Sequence, residues 1–332
     1  YKKMKVLITG GCGFIGHHLI EHIIKNTDWH IVVWDKLTYA ASGFDRLRDI
    51  DCFDNKRIKI FTIDFTSPIS EGVKKEVGDL DYILHIGAET HVDRSIECPM
   101  PFIMANVVGT AHMLDYARNQ PSLRRFVYFS TDEVFGAAPK GVFFKEWDRY
   151  NSCNPYAATK AGGEELCLAY SNTYSVPIFI THTMNAFGER QNQEKFIPLT
   201  IRKVLLGETV IIHSDSTKTI PGSRSYIHCR NIASALLFLL EKSTLREKYN
   251  IVGEKEVNNL ELAKFIAQVL GKELKYEMVD FHSSRPGHDL RYSLDGNKLK
   301  NMGWQHPKNF EESLTKTIEW YLKYKNKRWL RL

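Results

Sequence analysis

Five side chains in two short segments are equipped to move protons. Thr131, Asp132 and Glu133 follow one another in STDEVFG (130–136), directly after the apolar run RRFVYF. Tyr156 and Lys160 stand four residues apart in NPYAATKAGGEEL. Carboxyls at the mouth of a buried strand are costly unless they are used. Close like charges push two carboxyl pKa values apart, so one can serve as a base while its neighbour keeps its proton as an acid. Residues four apart share one face of a helix. An ammonium beside a phenol stabilises the phenolate, and that spacing predicts a Tyr156 pKa lowered toward neutrality. Such a phenol can take a proton from an alcohol while hydride leaves the same carbon.

Both segments need a frame. Apolar, β-branched stretches KVLITG (5–10), HIVVWD (30–35), IKIFTID (58–64), YILHIGA (82–88), RFVYFST (125–131) and PIFITHTMN (177–185) alternate with helical patterns, among them 14–26, 102–118 and 155–173. Uniformly apolar strands joined by crossovers predict a parallel sheet covered on both faces, hence a doubly wound α/β domain over residues 1–185. From 186 to 332 turn formers increase, which predicts a smaller lobe. KYNIVG (248–253) reads as a strand returning to the core, so the lobes should interleave. Successive residues of a strand face opposite ways. Asp132 and Glu133 can therefore reach one ligand only if the chain has left the strand, and Gly136 with the turn-rich GAAPKG predicts that break. Asn154 and Pro155 read as the cap and first turn of the helix carrying Tyr156.

ITGGCGFIG sets Gly10, Gly13 and Gly16 between the first strand and the first helix. That placement gives a tight turn, close backbone approach to a pyrophosphate and free N–H groups at a helix start, the pattern of a dinucleotide site. Asp35, 19 residues past Gly16, suits the ribose hydroxyls and favours NAD over NADP, although the cation of Lys36 beside it would tolerate a 2′-phosphate. Asp64 either meets the adenine edge or caps a turn.

The 332 residues carry a net charge of +6, with acids and bases interspersed. The basic C-terminal run YLKYKNKRWLRL reads as a solvated helix end, not a nucleic-acid arm. Six cysteines without a CxxC pair predict free thiols in a cytoplasmic protein. Thirteen histidines form no HExxH motif, so no metal site is expected. The longest apolar runs, such as ALLFLL (235–240), are too short to span a bilayer.

The glycine opening, the residue after the fifth strand and the YxxxK helix resemble the extended short-chain dehydrogenase/reductase superfamily. DKLTYA (35–40), HVDRSI (91–96), STDEVFG, YAATKAGGEEL (156–166), QNQEKFIP (191–198) and RPGHDLRY (285–292) resemble the nucleoside-diphosphate-glucose 4,6-dehydratases more specifically. The resemblance implies NAD held by Gly10, Gly13, Phe14, Ile15, Gly16, Asp35, Lys36, Thr38, Asp64, Tyr156 and Lys160. It implies that Tyr156, assisted by Lys160, deprotonates a sugar C4 hydroxyl whose oxygen Thr131 binds. Glu133 then removes the C5 proton, Asp132 protonates the leaving C6 hydroxyl, and hydride returns to C6. His91, Asn185, Glu194, Lys195, Arg224, Arg285, His288 and Tyr292 are implied to hold the nucleotide sugar. A homodimer through helices 102–118 and 155–173 is the family habit.

Departures from the family pattern are Ala186, Ser225 with Tyr226, and Gly87 with Thr90. They leave dTDP-glucose and UDP-glucose both open as substrates. The competing readings are a nucleotide-sugar 4-epimerase or UDP-glucuronate decarboxylase on the same scaffold, and a non-catalytic dinucleotide sensor. Neighbouring Asp132 and Glu133 argue against the first, and the full set of proton-moving residues against the second.

Overall fold

The computed structural model describes residues 3–284 and 288–332. Its central sheet contains β1 (Lys5–Thr9), β2 (His30–Asp35), β3 (Ile58–Thr62), β4 (Tyr82–His85), β5 (Arg125–Thr131), β6 (Ile178–Thr183) and the strand Lys248–Ile251. All pairings in it are parallel, and the order from one edge is Lys248–Ile251, β6, β5, β4, β1, β2, β3. This is the doubly wound frame expected from the strand composition. Order reverses between β1 and β4, which opens a crevice at the strands' C-terminal ends.

Alternation within single strands shows why they read as continuous apolar runs. Val6 and Ile8 of β1 join Leu236 and Leu239 of the helix Cys229–Lys242 in one buried cluster. Leu7 between them joins Trp34, Ile83 and Met113 in a second cluster on the opposite face. Both faces are dry, so no polar alternation is visible. The strands at 58–64 and 82–88 end earlier than expected, at Thr62 and His85. The residues beyond turn instead of pairing: Asp64 accepts from the Thr66 N–H, and the Gly87 N–H donates to the Thr9 hydroxyl at 3.0 Å.

Beyond residue 186 the chain adds a third cluster, with Ile197, Ile201, Leu262, Ile266, Leu314 and Ile318. It also adds three two-stranded pairings. One of these, Ser223–Arg224 against Val257–Asn258, carries Arg224. Among the described residues no helix is long and apolar enough to cross a membrane.

One buried polar assembly ties β5, β6 and the returning strand to the helix Pro155–Tyr174. The fully buried Glu164 carboxylate accepts from the Ser130 hydroxyl at 2.5 Å and from the Tyr150 hydroxyl. Its ion-pair partner Lys248 lies 3.1 Å away, and His182 stands at 3.2 Å. Burial alone would raise this carboxyl; His182, Lys248 and Ser130 outweigh it and bring it from 4.5 down to about 2. Because its folded pKa is depressed, the stability it contributes is complete above about pH 4.5 and is lost as pH falls through about 2. Removing one partner of a buried pair strands the other charge, at a cost of about 3–5 kcal/mol. Lys248→Met is expected to lower unfolding free energy by that amount in urea titration. Adding Glu164→Gln to it should restore most of the loss, whereas additive losses would show that the two groups are not coupled.

Candidate active site

The site begins with backbone. Gly10 has φ +70°, and a Cβ there would lie 2.8 Å from the Gly87 Cα; at Gly16 a Cβ would lie 2.2 Å from the Gly10 carbonyl oxygen. Any side chain at either position would close the turn. The helix Phe14–Asn26 starts at Gly13 with no side-chain cap, so its first N–H groups are left to an external acceptor. Gly10, Gly13, Phe14, Ile15 and Gly16 line one end of a 660 Å³ cavity. Asp35, Lys36 and Thr38 line it beyond the glycine turn. The Asp35 carboxylate is fixed by the N–H groups of Cys12 at 3.0 Å and Leu37 at 2.8 Å. Burial raises its pKa and these two donors oppose the rise. A cradle of glycines, an uncapped helix start and a ribose-height carboxylate fit NAD.

Asp64 does not reach this cavity. It is exposed, and its Oδ1 accepts from the Thr66 N–H at 2.9 Å and hydroxyl at 2.7 Å. Of the two placements the sequence leaves open, the structure has the turn cap.

At the other end of the cavity β5 stops at Thr131, and Asp132–Phe135 forms a 3₁₀ turn with Thr131 as its cap. The tighter turn breaks the strand's alternation and carries both carboxyls into the cavity with Thr131, Tyr156 and Lys160. Asp132 is 3% exposed; its Oδ1 accepts from the Thr131 hydroxyl at 3.1 Å, and its buried Oδ2 has no hydrogen-bond partner among the described residues. Burial and the charge of Glu133 push Asp132 up to about 7. Burial raises Glu133 as well, but Asn154, Arg224 and Lys195 oppose the rise. Its Oε2 accepts from Asn154 Nδ2 at 3.2 Å. The two acids therefore stand in unequal surroundings.

The expected lowering of Tyr156 is overturned. Burial, then the charges of Glu133 and Asp132, raise the phenol, and only a hydrogen bond with Thr131 pulls it down. Lys160 has turned its ammonium toward the Tyr128 ring, 4.3 Å from the centroid, and sits one turn before Glu164. Burial lowers Lys160 to about 8, with Glu164 opposing. The helical spacing was sound; what it could not include was the acid pair arriving on the phenol's other side.

The remaining expected residues gather around the same cavity, with Arg285 outside the described residues. His91 stands 3.6 Å from Glu194, and both line the cavity with Asn185 and Lys195. Arg224 lines it too, but donates to the carbonyls of Ser223, Asp289 and Leu290 at 2.5–2.7 Å and lies over the Tyr292 ring. It thereby holds the 288–292 segment against the cavity. His288 Nε2 lies 2.6 Å from Asp93 Oδ1.

Several contributors were not singled out by sequence. Asn106, in a π-helical turn, takes the Glu89 N–H on its Oδ1 and donates to the Glu89 carbonyl, which fixes the cavity wall there. Arg46 is buried, and donates to the carbonyls of Ala40, Ala41 and Arg190 at 2.6–2.9 Å behind the Thr38 segment. A lone asparagine or arginine in a helical pattern has no periodic signature, and only the long-range contact gives it meaning. Tyr226, noted as a departure, lines the cavity with its hydroxyl donating to Asn259 at 2.8 Å.

Comparison with known proteins agrees with this geometry. The family model described as GDP-mannose 4,6 dehydratase matches residues 7–317. A dTDP-glucose 4,6-dehydratase of Escherichia coli is 35% identical, over 98% of this chain and 95% of its own. A trifunctional UDP-glucose 4,6-dehydratase/3,5-epimerase/reductase of Arabidopsis thaliana is also 35% identical, over 97% of this chain and 47% of its own. The crystal structure of the dTDP-glucose 4,6-dehydratase DesIV from Streptomyces venezuelae, with NAD bound, superposes with a TM-score of 0.87 at 33% identity, covering 97% of this chain and 98% of that one. With its glycine cradle, its YxxxK helix and its neighbouring acids in one cavity, the chain belongs to the nucleotide-sugar 4,6-dehydratase family on the extended short-chain dehydrogenase/reductase fold.

Proposed function

We propose that this NAD-dependent hydro-lyase takes dTDP-glucose or UDP-glucose and releases the corresponding 4-keto-6-deoxy sugar. The observation that carries the reading is the pair Asp132 and Glu133, turned into one cavity with Tyr156 and Lys160 and set in unequal surroundings. NAD held by the Gly10–Gly16 turn and Asp35 would supply the hydride acceptor for C4 and the hydride donor for C6. The chain's own residues handle the protons. Tyr156, as its phenolate, takes the C4 hydroxyl proton, and Thr131, with its hydroxyl turned from Asp132 to the sugar, donates to that oxygen. A ketone at C4 acidifies the proton on C5, which the Glu133 carboxylate removes. Asp132, kept protonated near neutrality, gives its proton to the C6 hydroxyl so that water departs. Lys160 lines the same cavity one helical turn beyond the phenol, its ammonium against the Tyr128 ring.

Residues 186–332 are assigned mainly to the nucleotide-sugar lobe. Lys195 and Arg224 offer it positive charge, and Tyr226, His288 and Tyr292 offer ring surface. A homodimer accords with the exposed apolar side chains Met100, Ile103 and Met104 before the helix Gly109–Arg118, and Tyr174 at the end of the helix Pro155–Tyr174. The free cysteines accord with a cytoplasmic setting.

Incubation with each nucleotide-glucose, read by mass spectrometry, should give a product lighter by one water and no steady accumulation of NADH. A product of unchanged mass would indicate epimerisation and overturn the proposal. Glu133→Gln should lose at least about 10²-fold in dehydration while bound NAD is still reduced by the sugar. The pH dependence of wild-type kcat carries a further expectation. Because the protonated form of Asp132 is required and its pKa is raised to about 7, turnover should fall as pH rises through that region. Asp132→Asn should remove this limb along with most of the activity.

A further inference from the structure

The two carboxyls are chemically alike and adjacent, so something must decide which one carries the proton. We infer that Asn154 is the positioning residue that makes this choice, by committing its amide nitrogen to Glu133 and leaving Asp132 without an equivalent donor. The inference rests on the dehydratase reading above.

The amide has no freedom to do otherwise. Asn154 is buried and precedes the first turn of the helix Pro155–Tyr174, where its Oδ1 accepts from the Ala157 N–H at 2.8 Å. An amide rotated end for end would set Nδ2 against that N–H and Oδ1 against a carboxylate oxygen, two repulsive contacts in place of two bonds. With the oxygen spent on the cap, the nitrogen points to Glu133 Oε2 at 3.2 Å. An N–H donor stabilises a carboxylate over the neutral acid. Asp132 receives the Thr131 hydroxyl, on Oδ1, and its own backbone N–H, both weaker in effect than burial and the Glu133 charge, and its Oδ2 is buried without a hydrogen-bond partner among the described residues. The anion is thus favoured on Glu133, and its charge in turn raises Asp132.

Of the other groups around Glu133, only Lys195 favours its anion without also acting on Asp132, and it does so less than Asn154. On its own turn there is Asp132, a like charge. Arg224, from the strand Ser223–Arg224, and Lys195, at the start of the helix Phe196–Leu206, favour the anion. Asp289, on the segment after residue 287, opposes it. Tyr156, Tyr292 and Cys153 also feel the Glu133 charge, and each has its ionisation pushed upward by it. Arg224 acts on Asp132 as well, and so cannot separate the two acids. Among these groups the Asn154 hydrogen bond is the strongest influence favouring the ionised form, and it falls on Glu133 alone. One side chain therefore starts the helix that carries Tyr156 and Lys160 and fixes the base that acts after them.

Asn154→Ser tests this, because serine caps a helix almost as well as asparagine but keeps its one O–H on the capping oxygen and lacks the extended amide nitrogen that reaches Glu133 Oε2. Wild type and variant are compared with the same nucleotide-glucose, following kcat/KM against pH, deuterium uptake at C5 from heavy water, and Tm. The variant is expected to keep NAD reduction and to shift the acid limb of kcat/KM upward by about one pH unit, the worth of one hydrogen bond to a charged group. C5 exchange at low pH should slow roughly tenfold with it. Asn154→Asp also keeps the cap but faces Glu133 with a like charge, and should shift the limb further; it decides the matter if the serine variant is too unstable to assay. An active wild type with unchanged limbs in the folded variants overturns the inference about Asn154. A wild type inactive on both nucleotide-glucoses overturns the dehydratase reading instead.

Discussion

Two carboxyls cannot both be charged at close range in a cavity shielded from water, and the organisation of this site follows from that constraint. Placed on a regular strand, Asp132 and Glu133 would face opposite sides of the sheet and barely interact. The 3₁₀ turn that begins at Asp132 brings them to one side, and so creates the repulsion that the chemistry exploits. The charge of Glu133 is then useful twice, as a base and as the reason its neighbour stays protonated. Arrangements that merely bury two acids without an asymmetric donor would leave the proton shared and neither role defined.

Such a cavity needs a rigid floor, because electrostatic effects of this kind depend on distances that cannot relax. The floor is the Glu164 assembly. Ser130, which bonds Glu164, is the residue before Thr131, and Glu164 lies one helical turn beyond Lys160. The same carboxylate therefore anchors the end of β5 and supplies the charge that keeps Lys160 from losing its proton altogether. Lys248 compensates that carboxylate from the strand that returns to the sheet beside β6 after part of the second lobe has been built. A sheet edge left at β6 would expose both β6 and the lysine's partner.

How much of this was legible in the sequence varies with the range of the interaction. The strands were readable because burial on both faces makes them apolar throughout, and the glycine turn because it demands absent side chains at a fixed spacing. The break after Thr131 was readable too, since Gly136 and the turn formers lie within a few residues of it. Strand ends were less so: nothing local in IKIFTID says that Asp64 will turn back on Thr66. The ionisation of Tyr156 was misjudged because four-residue spacing reports only what shares its helix, while the decisive charges come from β5's continuation. Asn154 illustrates the same limit from the other side. Its cap was evident from the Pro155 that follows it, but its second bond spans 21 residues and belongs to the fold.

The raised phenol has a consequence for the order of events. While Glu133 is ionised, an ionised Tyr156 would face a like charge in the same buried site, so the cavity resists holding both groups ionised together. A neutral phenol, by contrast, is compatible with the Glu133 anion. In the proposed reaction, taking the C4 proton would return Tyr156 to that neutral state and thereby remove the charge that opposes Glu133, as the new ketone makes the C5 proton removable. Once Glu133 has accepted that proton, the repulsion on Asp132 falls in turn, and its own proton is released more readily to the departing oxygen. In the proposed reaction each transfer would lower the electrostatic cost of the next, through the mutual repulsion among Tyr156, Glu133 and Asp132.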